Sequence, residues 1–152
     1  MTYEDLLKQR IIEPVHIEDS EIAGLLRVAR RDIKAAQGLI TSSLDWAFAI
    51  AYNAILQLSI AYINHLGYRP RGEAKHVNTF RFLERALPKE EQEMVDRLQK
   101  LRKKRNLTIY QQTGLVSEKE AHDVINFAEQ YYKKIESMLP RNIVNLSRKE
   151  ED

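Results

Sequence analysis

The chain has 152 residues, 43% hydrophobic and 30% charged, with 24 Lys and Arg against 22 Asp and Glu for a formal net charge of +2. That length suits one domain with enough chain to bury a substantial core, and the composition is too apolar for disorder. Five Gly and four Pro leave too few turns for an all-β sandwich, and the absence of Cys excludes disulfides, thiolate metal sites and cysteine nucleophiles.

The opening residues lack the charged, apolar, small-residue order of a signal peptide. Residues 2–10 predict a short helix with Thr2 placed to cap it, and 11–17, which contains Pro14, predicts an extended connection. Ser20 opens an amphipathic helix. Its apolar stripe, Ile22, Leu25, Leu26, Ala29, Ile33, Ala36 and Ile40, recurs every three or four residues, and Arg27, Arg30, Arg31 and Lys34 fall largely off it. Thr41-Ser42-Ser43 breaks that helix and supplies the next N-cap.

From Leu44 to Leu66 the apolar residues wrap most of the way round, which predicts the central, most buried helix. Asp45, Asn53, Gln57, Asn64 and His65 make it too polar for a membrane span, and Gly67 ends it. A basic loop over 68–75 leads to a shorter helix from His76 to Leu87, with Phe80, Leu83 and Leu87 inward. Pro88, Glu90 and Glu91 start a fourth long helix, with Met94, Val95, Leu98 and Leu101 as its stripe. Order is expected to weaken after Arg105-Asn106. Ser117 and Glu120 have capping-box spacing for the last helix, whose stripe is Ala121, Val124, Ile125, Ala128, Tyr131, Ile135 and Leu139. The expected architecture is all-α: an up-and-down bundle of four long helices plus a short N-terminal helix. Residues 1–140 form a single domain, and 141–152, after Pro140, form a flexible C-terminal tail.

Of the chemistries considered, a metal site is disfavoured because His16, His65, His76 and His122 lie far apart with no second ligand at helical spacing. No Gly-rich phosphate loop links a strand to a helix, and no cofactor is implied. The remaining candidate is the basic block Lys100, Arg102, Lys103, Lys104 and Arg105, followed by Asn106 and Tyr110. A guanidinium fork can hold a phosphodiester, with the neighbouring amide on an adjacent oxygen or hydroxyl. The competing reading is helix-end chemistry, with basic residues complementing the dipole, Asn106 capping and Tyr110 packing. From the residues alone, both remain open.

From about Ser20 to Leu139 the chain resembles the HEPN family (higher eukaryotes and prokaryotes nucleotide-binding domains). The resemblance rests on Asp45-Trp46-Ala47 and Ala51-Tyr52-Asn53-Ala54 in the central helix, on His76 opening a helix after a short loop, and on a third set near the end. That set comprises Arg105-Asn106-x-x-x-Tyr110, Gly114-Leu115-Val116-Ser117, Glu120-Ala121 and Phe127-Ala128. It implies a helical bundle, usually dimeric, in which an Arg-x4–6-His motif from each subunit lines a shared cleft. Active members are metal-independent endoribonucleases, and many prokaryotic members pair with a minimal nucleotidyltransferase as a toxin–antitoxin system.

Carried onto this chain, Arg105 and Asn106 match the motif's phosphate-holding pair, and Tyr110 stands where the His is expected. Tyr has a reference pKa of about 10 against about 6.5 for His, so cleavage by the motif should be weak or absent. The leading expectation is therefore a cytoplasmic homodimer with a nucleotidyltransferase partner, binding RNA or nucleotide phosphate, with no membrane partner. An active endoribonuclease toxin and a purely structural interaction bundle are the rivals. Trp46 and Tyr52 are expected in the core or an interface, not on a ligand.

Overall fold

The computed structural model describes residues 3–72, 75–110 and 113–149, with side chains for all of these except Lys75, Ile109 and Tyr110. Helices dominate, in the order α1 (Tyr3–Lys8), α2 (Asp19–Leu39), α3 (Leu44–His65), α4 (Lys75–Ala86), α5 (Gln92–Tyr110), α6 (Glu118–Met138) and α7 (Arg141–Arg148). The four long helices α2, α3, α5 and α6 have 21, 22, 19 and 21 residues, as the periodicity requires.

The boundaries follow from local chemistry. Ser43 caps α3 by accepting from the Trp46 N–H, and Gly67, at φ 96°, turns the chain out of α3 in a conformation that costs other residues steric energy. Ser117 and Glu120 form a reciprocal capping box at the start of α6.

The bundle is organised around α3, which packs most extensively on α2, then on α6, and also on α4 and α5. By length and apolarity α3 could cross a membrane, yet 72% of its most apolar stretch is buried inside the bundle. Its polar atoms are satisfied by neighbours: the Ser59 hydroxyl meets Tyr131 Oη at 2.8 Å, and Asn53 donates to the buried Asp32 of α2 at 2.7 Å. The expected inward residues of α4 and α6 are buried, and Phe82 of α4 joins them.

Three expectations are corrected and a fourth is narrowed. First, 141–148 is not a flexible tail but α7, with Ile143, Val144 and Ser147 buried. Two arginines expected off the apolar stripe of α2 explain it: Arg27 donates to the Leu146 carbonyl at 3.0 Å, and Arg30 to that of Ser147. They satisfy carbonyls that the end of a short helix leaves unpaired. The last residues of the expected tail, 150–152, lie outside the described residues, as does the Thr2 cap.

Second, the basic loop over 68–75 begins as a strand, paired with the connection expected to be extended. Ile12–Pro14 (β1) pairs antiparallel with Tyr68–Pro70 (β2), with Ile12 opposite Pro70 and Pro14 opposite Tyr68. Third, α5 does not break after Asn106 but continues to Tyr110. Nothing from Leu107 to Tyr110 is a helix breaker, and Thr108 is buried. Fourth, of the two places expected for Trp46, the core is excluded: it is 56% exposed, on the side of the first turn of α3 away from the buried Ala47 and Phe48, and the interface remains. Tyr52, by contrast, is 1% exposed, as expected.

A candidate phosphate site on alpha 5

Because α5 runs unbroken through the basic block, helical geometry distributes those charges around it. Residues three and four apart share a face, so Arg102 and Arg105 project to one side, and Lys100 and Lys104 to another. Lys103 lies between them and is exposed. Asn106, in the helix interior, is not a cap, so that part of the helix-end reading does not apply.

The lysine side is tied into the fold. The Lys104 ammonium donates to the Leu115 carbonyl at 2.9 Å and pairs with Glu120 at 3.2 Å. Glu120's carboxyl is held below its ordinary range chiefly by the Ser117 backbone N–H, with Lys104 adding to the effect. Nearby, Asp45 at the start of α3 accepts from the Gly114 N–H at 2.9 Å, anchoring the approach to α6. Lys100 and Lys104 also border a cleft of about 320 Å³ with Phe48, Glu120 and Asp123.

The arginine side faces α3 and α4. The Arg105 guanidinium lies over the Tyr52 ring, 5.6 Å from its centroid, within the range of a cation–π attraction. On the same tyrosine, the hydroxyl meets His76 Nδ1 at 3.3 Å, with the two ring centroids 6.0 Å apart. Burial, and then the charges of Arg105 and Arg102, lower the His76 pKa from its ordinary 6.5, so the imidazole is neutral at neutral pH. Burial pushes the Tyr52 phenol well above its ordinary range in spite of the two arginines, so it keeps its proton. Arg102 is further oriented by donating to Gln99 Oε1 at 3.1 Å.

The position of His76 is built by packing. The Tyr3 and Phe82 rings stack at 5.2 Å and Tyr68 packs against both, clamping α1 and β2 to α4. Asn78 donates to the Arg71 carbonyl at 2.7 Å, and Phe80 sets its edge against Tyr52 at 6.3 Å. Together these contacts hold the first turn of α4 beside the arginine side of α5.

Of the residues expected at the site, Arg102 and Arg105 are brought together, Lys104 is drawn into a structural ion pair, and Lys100 and Lys103 remain at the surface. Asn106 is half-buried on α5. The Tyr110 side chain lies outside the described residues. His76 and Tyr52 are not among the candidates that the sequence offers, although each belongs to a stretch that carries the resemblance. Only the tertiary packing of three helices brings them to Arg105. Two clefts, the one described above and another of about 410 Å³ between the start of α5 and α6, are not lined by Arg105 or His76. Among the described residues, no cluster of three or more His, Asp or Glu could hold a metal ion.

The chain is thus a predominantly all-α bundle with a run of basic residues on its fifth helix. The HEPN domain family model matches residues 22–138, most of the chain, and the protein belongs to that family. A comparison with curated proteins gives no match.

Proposed function

We propose that this HEPN protein binds the phosphate groups of RNA or a nucleotide on the arginine side of α5, with cleavage that is weak at most. The observation that carries this reading is the convergence of Arg102 and Arg105 with Tyr52 and the neutral His76. Two guanidiniums one helical turn apart suit a phosphodiester, which accepts paired N–H donors through two oxygens. Position 110 offers a phenol where the family motif has an imidazole, which argues against full nuclease activity. In the wider reading the protein is cytoplasmic and pairs with a minimal nucleotidyltransferase in a toxin–antitoxin-type system.

Binding of a fluorescent single-stranded RNA across a salt series tests the phosphate reading. Affinity should fall with a log–log slope of about −0.7 for each phosphate contacted. Arg105→Ala should weaken binding and flatten that slope by about one contact's worth. Equal, salt-insensitive binding by parent and variant would instead favour a purely structural interaction bundle.

We further propose that the functional unit is a homodimer. Among the described residues, Trp46 and Leu107 are the large hydrophobic side chains left exposed, at 56% and 43%, and Ile50 and Ile60 on the Trp46 side of α3 are only partly covered. A second copy of the chain would bury that surface. Light scattering should report a dimer at micromolar concentration that weakens in Trp46→Glu. A parent protein that is monomeric throughout that range would overturn the dimer.

A further inference from the structure

We infer that His76, reaching the site from α4, is the proton acceptor for attack of a ribose 2′-hydroxyl on a phosphate held by Arg102 and Arg105. The inference rests on the proposed phosphate site and adds a reaction to it. Its basis is a substitution of place. The family motif would carry its histidine one turn beyond Arg105 on α5, where this chain has Tyr110, whereas packing brings an imidazole to the same arginine from another helix.

The other histidines do not compete. His16 is exposed beside Glu18, His122 is exposed beside Glu118, and His65 lies at the far end of α3. Only His76 shares a neighbouring ring with Arg105, since Tyr52 receives the guanidinium on its face and the imidazole at its hydroxyl.

The ring's surroundings suit the task. Nδ1 is taken up by Tyr52, and among the described residues the imidazole makes no other hydrogen bond, which leaves Nε2 for a substrate. In the productive tautomer Nδ1 carries the proton and donates it to Tyr52 Oη, so Nε2 holds the lone pair. Tyr52 is thus a positioning residue. The charged groups that act on His76 are Arg105 and Arg102 from α5, and Tyr52 faces it from α3. Among the causes that move the His76 pKa, burial comes first and the two arginines follow. The base is therefore already neutral at neutral pH, as proton abstraction requires.

The reaction balances without a metal or a co-reactant. The 2′-hydroxyl proton passes to His76 Nε2 as the 2′-oxygen bonds to phosphorus. The bond from phosphorus to the 5′-oxygen breaks, and that oxygen takes a proton from water. The products are a 2′,3′-cyclic phosphate and a 5′-hydroxyl, and His76 returns its proton to solvent.

The test incubates the full-length protein with a randomised-sequence single-stranded RNA pool and EDTA at several pH values, with product ends identified by mass spectrometry. Arg105→Ala, purified in parallel, sets the background. Slow cleavage above background to cyclic-phosphate ends is expected, rising as pH passes upward through the His76 pKa and levelling before pH 7. His76→Gln should lower the rate by about 10²- to 10⁴-fold, the usual effect of losing one proton-transfer partner, with RNA affinity kept within about threefold. Tyr52→Phe should lower kcat more than it changes KM, and His122→Gln should cleave like the parent. Intact RNA in a parent that binds it through Arg105 would overturn the inference and leave the phosphate site standing, as would parental rates in His76→Gln. Binding that is indifferent to Arg105→Ala would overturn both. If His76→Gln fails to fold, the parent's pH profile decides, and a flat profile between pH 5 and 8 counts against His76.

Discussion

On one side of α5, Lys104 spends its charge on Glu120 and the Leu115 carbonyl, within hydrogen-bond reach of both. On the other side, Arg102 and Arg105 direct theirs at Tyr52 and His76, two groups that stay neutral near pH 7. A single run of basic residues thus divides into a part that fastens the start of α6 and a part that faces α3 and α4, where we propose the phosphate site. The charges were the same in sequence; what separates them is the helical angle between positions 104 and 105 and the helices that each side meets. Dense positive charge is therefore a weak guide to function until its neighbours are known. Lys104 meets a carboxylate and a carbonyl, whereas Arg105 lies over the Tyr52 ring.

The largest effect that separates the two sides should be on binding. Arg105→Ala is expected to weaken RNA affinity about 10- to 150-fold, as the loss of a charge-assisted hydrogen bond of about 1.5–3 kcal/mol implies. Lys103→Ala, at an exposed position, should change it by less than about threefold. Fluorescence anisotropy at low salt would measure both, and equal losses would erase the distinction between the sides.

On the lysine side the expected loss is one of stability. Ser117→Ala removes half of the capping box and should cost about 1 kcal/mol in urea denaturation. Lys104→Ala should cost no more than about 1 kcal/mol, because its ion pair is partly exposed. Either variant losing RNA binding while keeping its stability would contradict the assignment of this side to structure.

Much of this fold could be read from spacing alone. Stripes at three- and four-residue intervals, the Ser43 and Ser117 caps and Gly67 locate the long helices because each is a local signal. Three features were not local. Helix α7 depends on Arg27 and Arg30, more than a hundred residues away, to satisfy its final carbonyls, so its short sequence reads as a tail. The β1–β2 pair joins segments separated by the whole of α2 and α3. Trp46 follows an N-cap and carries the size of a core residue, yet its angle on α3 turns it outward. The site divides in the same way: Arg105 could be found by motif, whereas His76 could be seen only as a lone histidine opening a helix. Its meaning comes from a tyrosine on a third element.

The sharpest test of the division is the titration of the four histidines by NMR in the parent, Arg105→Ala and Lys104→Ala. In the parent, His76 should titrate below 6.5, and Arg105→Ala should move it upward by removing a neighbouring positive charge. Lys104→Ala should leave it in place. Because the unfolded chain then takes up this proton before the folded one, stability should fall as pH drops from about 6.5 through the folded pKa, and fall less in Arg105→Ala. A His76 that titrates alike in all three proteins would mean that the arginines do not act on it, and would contradict the account at its centre.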